Sequence, residues 1–190
     1  GGSILGDKTR MQKLSTDPNA FIRPSPSGGS LGGVQNATSD AIKLCALAGY
    51  TYILVETVGI GQSEISINYL VDLLILLLAP GAGDDLQGIK RGILEYADII
   101  FINKAENGMK AQSAQTLEHY SSAIHFFAPK YPFWSQRILQ GSALKNIGIE
   151  NLDIAIRDFE KDYFLDNKAE INRKTQESMY FDEMLSSALR

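Results

Sequence analysis

Short apolar runs, separated by mixed polar and apolar segments, dominate the middle of the chain. A continuous apolar run of this length is typical of a strand that is buried on both faces. The runs occupy residues 52–56, 71–78 and 97–102, with a weaker one at 138–139. Helical patterns lie between them, at roughly residues 85–95 and 110–126. Strands that alternate with helices predict an α/β fold, in which helices cover both faces of a parallel sheet.

The two ends of the chain differ from this middle part. Residues 1–37 are rich in Gly, Ser and Pro, which predicts a loop. A helix is expected over residues 39–48, where Thr38, Ser39 and Asp40 suit the cap and Gly49 suits the end. Residues 151–190 form a charged segment with several aromatic and methionine side chains, typical of a helical tail. We therefore expect one α/β domain over residues 1–150 and a helical tail over residues 151–190.

Composition narrows the class of protein. The net charge of −4 over 190 residues provides no general basic field for nucleic acid or for an anionic membrane. The most apolar stretch, residues 70–79, carries Asp72 and is shorter than the roughly 20 residues of a membrane helix. The single cysteine, Cys45, cannot form an intramolecular disulfide, and His119 and His125 point to different faces of one helix. We expect a cytoplasmic protein that binds neither nucleic acid nor membrane.

The residues that follow the predicted strands carry candidate chemistry, because ligands bind beyond the carboxyl ends of the strands in parallel sheets. After the first strand the chain reads Glu56-Thr57-Val58-Gly59. An acidic residue at a strand end can hold Mg²⁺ directly or through water. A glycine shortly afterwards lets a backbone N–H approach a phosphate oxygen. This segment is therefore a candidate for the phosphate and metal side of a nucleotide site.

Two later segments suit the recognition of guanine. Asn103-Lys104-Ala105-Glu106 follows the third strand, and Ser142-Ala143-Leu144 follows the fourth. Asn103 can brace its loop, the stem of Lys104 can lie along a purine face, and the Glu106 carboxylate can accept two N–H groups from one edge of guanine. A backbone amide of residues 142–144 can meet the guanine oxygen. In this order, each at a strand end, the segments predict a nucleotide-binding site.

The pattern resembles a P-loop GTPase whose magnesium-side motif is ExxG instead of DxxG. It is most similar to the ArgK/MeaB-type family, the methylmalonyl-CoA mutase-associated GTPases. The similarity extends over nearly the whole chain and weakens after about residue 150. The matching segments are residues 2–11, 21–26, 31–33, 55–64 and 80–90.

This resemblance implies a protein that binds GTP or GDP with Mg²⁺, hydrolyses GTP and acts as a chaperone for a cobalamin-dependent mutase, usually as a homodimer. It assigns Asp7 and Glu56 to the surroundings of the metal, and Gly59 to the γ-phosphate. Glu56 and Gln62 are the candidate catalytic residues, and Gln62 would orient the attacking water. The tail implied by residues 151–190 would help the subunits to pair.

The resemblance also implies a switch loop at residues 81–90, which would transmit the nucleotide state to the mutase. The polar residues expected to act in this loop are Asp84, Asp85 and Lys90. Asp84 and Asp85 suit equally well the cap of the helix predicted at residues 85–95. The two roles are compatible.

The chain departs from the family pattern in two ways. It contains no GxxxxGK[ST] phosphate loop, so it is expected to lack the amino-terminal part of the domain, to be unstable and to bind GTP poorly on its own. Glu106 stands where the family motif NKxD has Asp, and its extra methylene shifts the carboxylate by about 1.5 Å. A weaker preference for guanine is expected, and the missing loop leaves the enzymatic activity of the chain open.

Two alternative functions remain at this point. One is a related GTPase that inserts a metal, although such proteins tend to use His and Cys clusters, which this sequence lacks. The other is a non-enzymatic interaction module that uses residues 81–90 and the tail to bind a mutase or a second copy of itself.

Overall fold

The computed structural model describes residues 11–24, 31–57, 67–81, 91–106 and 108–188. The chain divides into two compact units, Gly1–Glu56 and Thr57–Arg190. The predicted boundary between a domain and a tail at residue 150 stays a prediction.

The first unit contains helix α1 (Gln12–Ser15) and helix α2 (Leu31–Leu47). Helix α2 ends where expected, since Gly49 follows it with a φ of 91° that favours glycine. The predicted start at residue 39 is wrong, because residues 31–38 are already helical, including 31–37, which were expected to form a loop. Residues 16–24 lie in neither a helix nor a strand, as predicted. Because a nucleated helix gains a hydrogen bond for each residue it adds, it can extend through unfavourable glycines. Thr38, Ser39 and Asp40 therefore lie inside α2 and do not cap it.

The strand predicted at residues 52–56 is also wrong. Residues 52–57 lie in neither a helix nor a strand, and the Leu54 side chain is 90% exposed. A strand requires a neighbour for its backbone hydrogen bonds. No strand occurs among the residues described in the first unit, 11–24 and 31–56, so the apolar run has no partner there.

The second unit contains a parallel sheet, as predicted, built from three of the four predicted strands. Strand β1 (Ile75–Leu78) pairs with β2 (Ile99–Ile102), and β2 pairs with β3 (Arg137–Gln140). Strand β1 begins later than the predicted run because the Leu74 amide donates to the Asp98 carboxylate at 2.8 Å. On the other edge of β1 no strand is paired among the described residues, and Leu77 there is 63% exposed.

Helices cover both faces of this sheet. Helix α3 (Arg91–Tyr96) and helix α4 (Lys110–Ile124) lie in the regions where helices were predicted. Strand β2 is buried on both faces because its side chains alternate between two apolar clusters. One cluster contains Ile100 and Ile102 with residues of α3 and α4, and the other contains Ile99 with residues of the carboxy-terminal helices. The predicted α/β architecture is thus confirmed.

The carboxy-terminal part is helical, as predicted. Helix α5 (Ile149–Tyr163) packs through Ala155, Phe159 and Tyr163, which recur every four residues and so share one face. Two left-handed residues, Asp166 and Asn167, separate it from helix α6 (Lys168–Ala188).

Polar contacts fix α6 to the segment that precedes β1. Arg173 donates two hydrogen bonds to the Asp72 carboxylate, at 2.9 and 2.7 Å. The Tyr163 hydroxyl donates to the same carboxylate at 2.9 Å. The buried Gln176 side chain donates to the carbonyl oxygens of Asn68 and Val71 at 2.7 and 2.8 Å. These contacts hold α6 against the segment that precedes β1 within the second unit.

A buried ion pair lies at the amino-terminal end of β2. Asp98, whose side chain is 1% exposed, accepts from Lys130 Nζ at 3.0 Å. Burial raises the pKa of Asp98 and lowers the pKa of Lys130, while their mutual attraction opposes both shifts. The backbone oxygen of Asp98 accepts from the Trp134 indole N–H at 3.0 Å. The pair thus links β2 to the segment that leads into β3.

No helix in the described part of the chain is both long enough and apolar enough to cross a membrane.

Candidate nucleotide-binding site

The parallel register brings the predicted guanine segments to one edge of the sheet. Leu78 lies beside Ile102, and Ile102 lies beside Gln140, so the three strands end level with one another. The residues that follow each strand therefore emerge side by side. This arrangement meets the geometric requirement for a ligand site at the carboxyl edge.

Asn103 joins the loops after β2 and β3. Its Oδ1 atom accepts from the Lys104 amide and from the Ala143 amide, each at 2.9 Å. The backbone N–H of Asn103 donates to the carbonyl oxygen of Leu78 at 2.8 Å, which connects the loop to β1 as well. The structure thus brings Asn103 and Ala143 together, and the asparagine braces its loop in the way the sequence suggests.

Lys104 adopts an uncommon backbone conformation, with a φ of 63°. Non-glycine residues in this left-handed region cost free energy and are found where surrounding contacts hold them. Here the next amide, that of Ala105, donates to the Gly141 carbonyl oxygen at 2.9 Å. The turn at Lys104 therefore directs the following residues across the end of β3.

Glu106 has the environment expected of a ligand-binding carboxylate. The residue is half-buried, and its Oε2 atom is buried without a hydrogen-bond partner among the described residues. A buried acceptor without a donor costs free energy, so native structures rarely leave such an atom without a hydrogen bond. The carboxylate is therefore suited to accept N–H groups from a bound molecule.

The loop after β3 is closed by its own backbone. Ser142 and Ile147 exchange two hydrogen bonds, at 2.8 and 3.0 Å, and the Lys145 amide donates to the Ser142 hydroxyl at 3.1 Å. Because the Ala143 amide already donates to Asn103, it is not the free amide of this loop. Among the described residues, the amide of Leu144 has no acceptor. Of the predicted segment 142–144, Leu144 thus offers the amide for a ligand oxygen.

Two glycines that the sequence reasoning missed make this loop possible. A Cβ on Gly141 would overlap the Ile147 carbonyl oxygen and lie 2.8 Å from Phe101 Cζ. A Cβ on Gly148, whose φ is 72°, would lie 2.5 Å from the backbone carbonyl oxygen of Gln140. A glycine directly before Ser142 was the available signal, since a glycine at a strand end often marks a close backbone approach.

Helix α4 also makes two buried polar contacts that were not predicted. The Ser113 hydroxyl donates to Gln140 Oε1 at 3.0 Å, and the Thr116 hydroxyl accepts from the Gly81 amide at 3.2 Å. Both residues are buried, at 0% and 2% exposure. Their spacing from the buried Tyr120, at seven and four residues, marks them as part of the inner helical face. Polar residues on such a face were the signal for a structural contact.

The other predicted site residues either belong to the first unit or lie outside the described residues. Glu56 is the last residue of the first unit, where its side chain is exposed. No group of three or more His, Cys, Asp or Glu residues that could hold a metal occurs among the described residues. The remaining predicted positions lie outside the described residues: Asp7, Gly59, Gln62, Asp84, Asp85 and Lys90.

A parallel sheet with helices on both faces, and with an Asn-Lys-x-Glu loop at its carboxyl edge, is typical of the P-loop fold class to which GTPases belong. A solved structure of the LAO/AO transport system kinase is similar to this chain with a TM-score of 0.82 and 34% identity, over 94% of this chain and 56% of that one. The model of the family "Methylmalonyl Co-A mutase-associated GTPase MeaB" matches residues 1–190. The chain belongs to this family, which confirms the resemblance seen in the sequence.

Individual relatives agree with this assignment. GTPase ArgK of Escherichia coli (strain K12) is 48% identical over 159 residues, which cover 84% of this chain and 48% of the relative. The mitochondrial methylmalonic aciduria type A homolog of Mus musculus is 42% identical over 180 residues, which cover 95% of this chain and 43% of the relative. The chain thus spans less than half the length of these curated relatives.

Proposed function

We propose that this chain provides the guanine-recognition part of a GTPase that binds GTP or GDP with Mg²⁺, hydrolyses GTP and acts as a chaperone for a cobalamin-dependent acyl-CoA mutase. One observation carries the proposal. Asn103 Oδ1 holds the amides of Lys104 and Ala143, while the buried Oε2 of Glu106 has no partner among the described residues. This is a braced loop with an acceptor ready for donors of a base.

The chemistry of these groups fits guanine better than adenine. Guanine presents two N–H donors on one edge, and a carboxylate accepts both. Adenine presents an acceptor nitrogen at the equivalent position, which would face the carboxylate of Glu106 without a proton between them. The Leu144 amide is placed in the loop next to Ala143 and is suited to donate to the guanine oxygen. Lys104 would lie along the purine face.

The phosphate and metal side of the proposal rests on the family. Mg²⁺ takes one or two protein carboxylates together with phosphate oxygens, and the oxygen donors of Asp7 and Glu56 suit this chemistry. When bound, the ion neutralises charge on the phosphate oxygens. Gly59 is proposed to donate to the γ-phosphate, Gln62 to orient water, and residues 81–90, with Asp84, Asp85 and Lys90, to act as the switch.

The experiment that tests the guanine site is a titration of the ¹⁵N-labelled chain with GDP, GTP and ADP, followed by NMR. A base site without phosphate contacts should bind in the millimolar range, worth about 4 kcal/mol. GDP and GTP should shift the amide signals of residues 103–106 and 142–145, and ADP should shift them far less. Micromolar binding would show that the phosphate contacts are also supplied.

Matched variants make this titration specific. Asn103→Ala removes the acceptor that joins the two loops and should abolish the guanine-dependent shifts. Asn151→Ala removes an exposed asparagine on α5 and should leave them unchanged. Equal shifts with GDP and ADP, or shifts confined to other residues, would overturn the assignment of the guanine site.

The proposed mutase partner is supported by the description of the matched family. A pull-down with a cobalamin-dependent mutase, with and without GTP, separates the alternatives. If the mutase is captured only with GTP, the chaperone GTPase is supported. If the mutase is captured equally with and without GTP, a non-enzymatic interaction module is supported. A metal-insertion GTPase of the same superfamily would capture no mutase.

We also propose that the protein forms a homodimer through α6. The face of α6 that carries Ala169 and Gln176 is buried against the second unit. With about 100° per residue, Ile171, Phe181 and Leu185 lie within about 80° of one another on the opposite face. All three are exposed. An exposed apolar helical face of this kind is typical of a protein–protein interface.

A further inference from the structure

The fully buried hydroxyl of Ser113 has a partner that its helix does not require. Ala would fill the same position on the inner face of α4 and is the better helix former. The Ser113 hydroxyl instead donates to the Gln140 side chain, across from the helix to the last residue of β3. Since a buried hydroxyl is tolerated only when it is hydrogen-bonded, this contact explains the serine.

The contact completes a hydrogen-bonded path between the two proposed guanine loops. The Glu106 carbonyl oxygen accepts from the Met109 amide at 3.1 Å, and the Met109 carbonyl oxygen accepts from the Ser113 amide at 2.8 Å. Ser113 then donates to Gln140, which directly precedes Gly141 in the other loop. These contacts through α4 therefore fix the position of the Glu106 backbone relative to the loop after β3.

We propose that Ser113, acting through Gln140, is a positioning residue for guanine recognition. The proposal rests on the guanine site proposed above. Asn103 sets the separation of the two loops on the ligand side, and the Ser113–Gln140 contact sets it on the helix side. The distance between the Glu106 carboxylate and the Leu144 amide must match the edge of one base. Without the Ser113–Gln140 contact, this distance is no longer fixed.

The test compares Ser113→Ala, Gln140→Ala and the double variant in the full chain by the NMR titration with GDP and ADP. The ratio of the two dissociation constants should fall about fivefold in each single variant, the size of one neutral hydrogen bond. The double variant should fall no further, because both changes remove the same contact. Additive effects would overturn the pairing.

Two controls on the same helix separate positioning from a general loss of stability. Thr116→Val removes a hydroxyl that is as deeply buried, but whose partners are Gly81 and Gln112 instead of a guanine loop. Ser122→Ala removes an exposed hydroxyl that bonds only to the Glu118 carbonyl oxygen among the described residues. Both should keep the guanine preference. If Thr116→Val lowers it as much as Ser113→Ala, the role of Ser113 is only structural.

Hydrogen exchange without nucleotide keeps this inference separate from the guanine proposal. Ser113→Ala should raise the exchange rate of the Ala105 and Ala143 amides about fivefold, and Thr116→Val should not. Unchanged exchange in Ser113→Ala would overturn the inference, whatever the nucleotide titration shows. If Ser113→Ala exchanges faster than its parent but the parent shows no guanine preference, the guanine site is overturned and the loop contact stands.

Discussion

Gly141 shows how a single missing side chain shapes the site. Replacing it with Ala would place a Cβ against Ile147 and Phe101, so the β3 loop would have to move. We expect Gly141→Ala to cost about 2–3 kcal/mol of stability, as for an overpacked core position. The guanine-dependent NMR shifts should be lost as well, even in conditions where the variant remains folded. Urea unfolding and the titration measure the two effects.

Gly108→Ala is the matched control for this prediction. Gly108 has a φ of 82°, but no atom lies within 4 Å of the Cβ that would be added. The change should cost only the backbone strain, about 1–2 kcal/mol. Equal losses of guanine binding in the two variants would show that the close approach at Gly141 is not what shapes the loop.

At this scale the sequence predicted part of the contact network at the candidate site. Asn103, Glu106 and Ala143 could be named because each follows an apolar run, and parallel strands place such residues at one edge. Gly141 and Ser113 carry only a general signal, a glycine at a strand end and a polar residue on an inner helical face, because their contacts are with atoms distant in sequence. The sequence also could not show that Ala143 donates to Asn103, which leaves the neighbouring Leu144 amide for a ligand.

At the scale of elements, the buried pair of Asp98 and Lys130 links β2 to the segment before β3. Lys130→Met should cost about 3–5 kcal/mol at pH 7, because it leaves the Asp98 charge buried without its partner. Burial raises the pKa of Asp98 above its ordinary value of 3.8, and loss of Lys130 raises it further. Below these folded-state values Asp98 is neutral, so the deficit of the variant should shrink as the pH falls.

The measurement is urea unfolding of both proteins between pH 4 and pH 7. The sign follows from linkage: the folded state holds the Asp98 proton more tightly than the unfolded chain, so its stability contribution falls as the pH rises through the folded pKa. Lys174→Met, which breaks an exposed pair with Glu170, should cost less than about 1 kcal/mol. A deficit of Lys130→Met that is constant with pH would contradict the coupling.

The elements themselves were predicted unevenly, for reasons that lie in pairing. Runs at residues 71–78, 97–102 and 138–139 became strands because they pair with each other. The run at residues 52–56 is also apolar, but no strand pairs with it among the described residues of its unit, and composition alone cannot supply a partner. The helix α2 was predicted too short because Gly32 and Gly33 resemble a loop, although a helix can extend through them.

At the scale of the whole molecule, the exposed face of α6 predicts the oligomeric state. Replacing both Ile171 and Phe181 with Ser should convert a homodimer into a monomer, because two large apolar contacts would be lost from the proposed interface. Light scattering coupled to size exclusion, over a range of protein concentrations, measures the mass. Ile154→Ser changes an exposed residue of α5 and should leave the mass unchanged. A monomeric parent chain would contradict the proposal.

The outer edge of β1 has a practical consequence for anyone who produces this chain. Within the part of the chain that the structure describes, no strand pairs with the backbone groups on this edge, and Leu77 of the strand is exposed. Such an edge is a template to which any extended polypeptide can add. During overexpression, crowded nascent chains would meet these edges before anything else covers them, and inclusion bodies would follow. A lysine in place of Leu77 is the simplest way to raise the yield of dispersed protein.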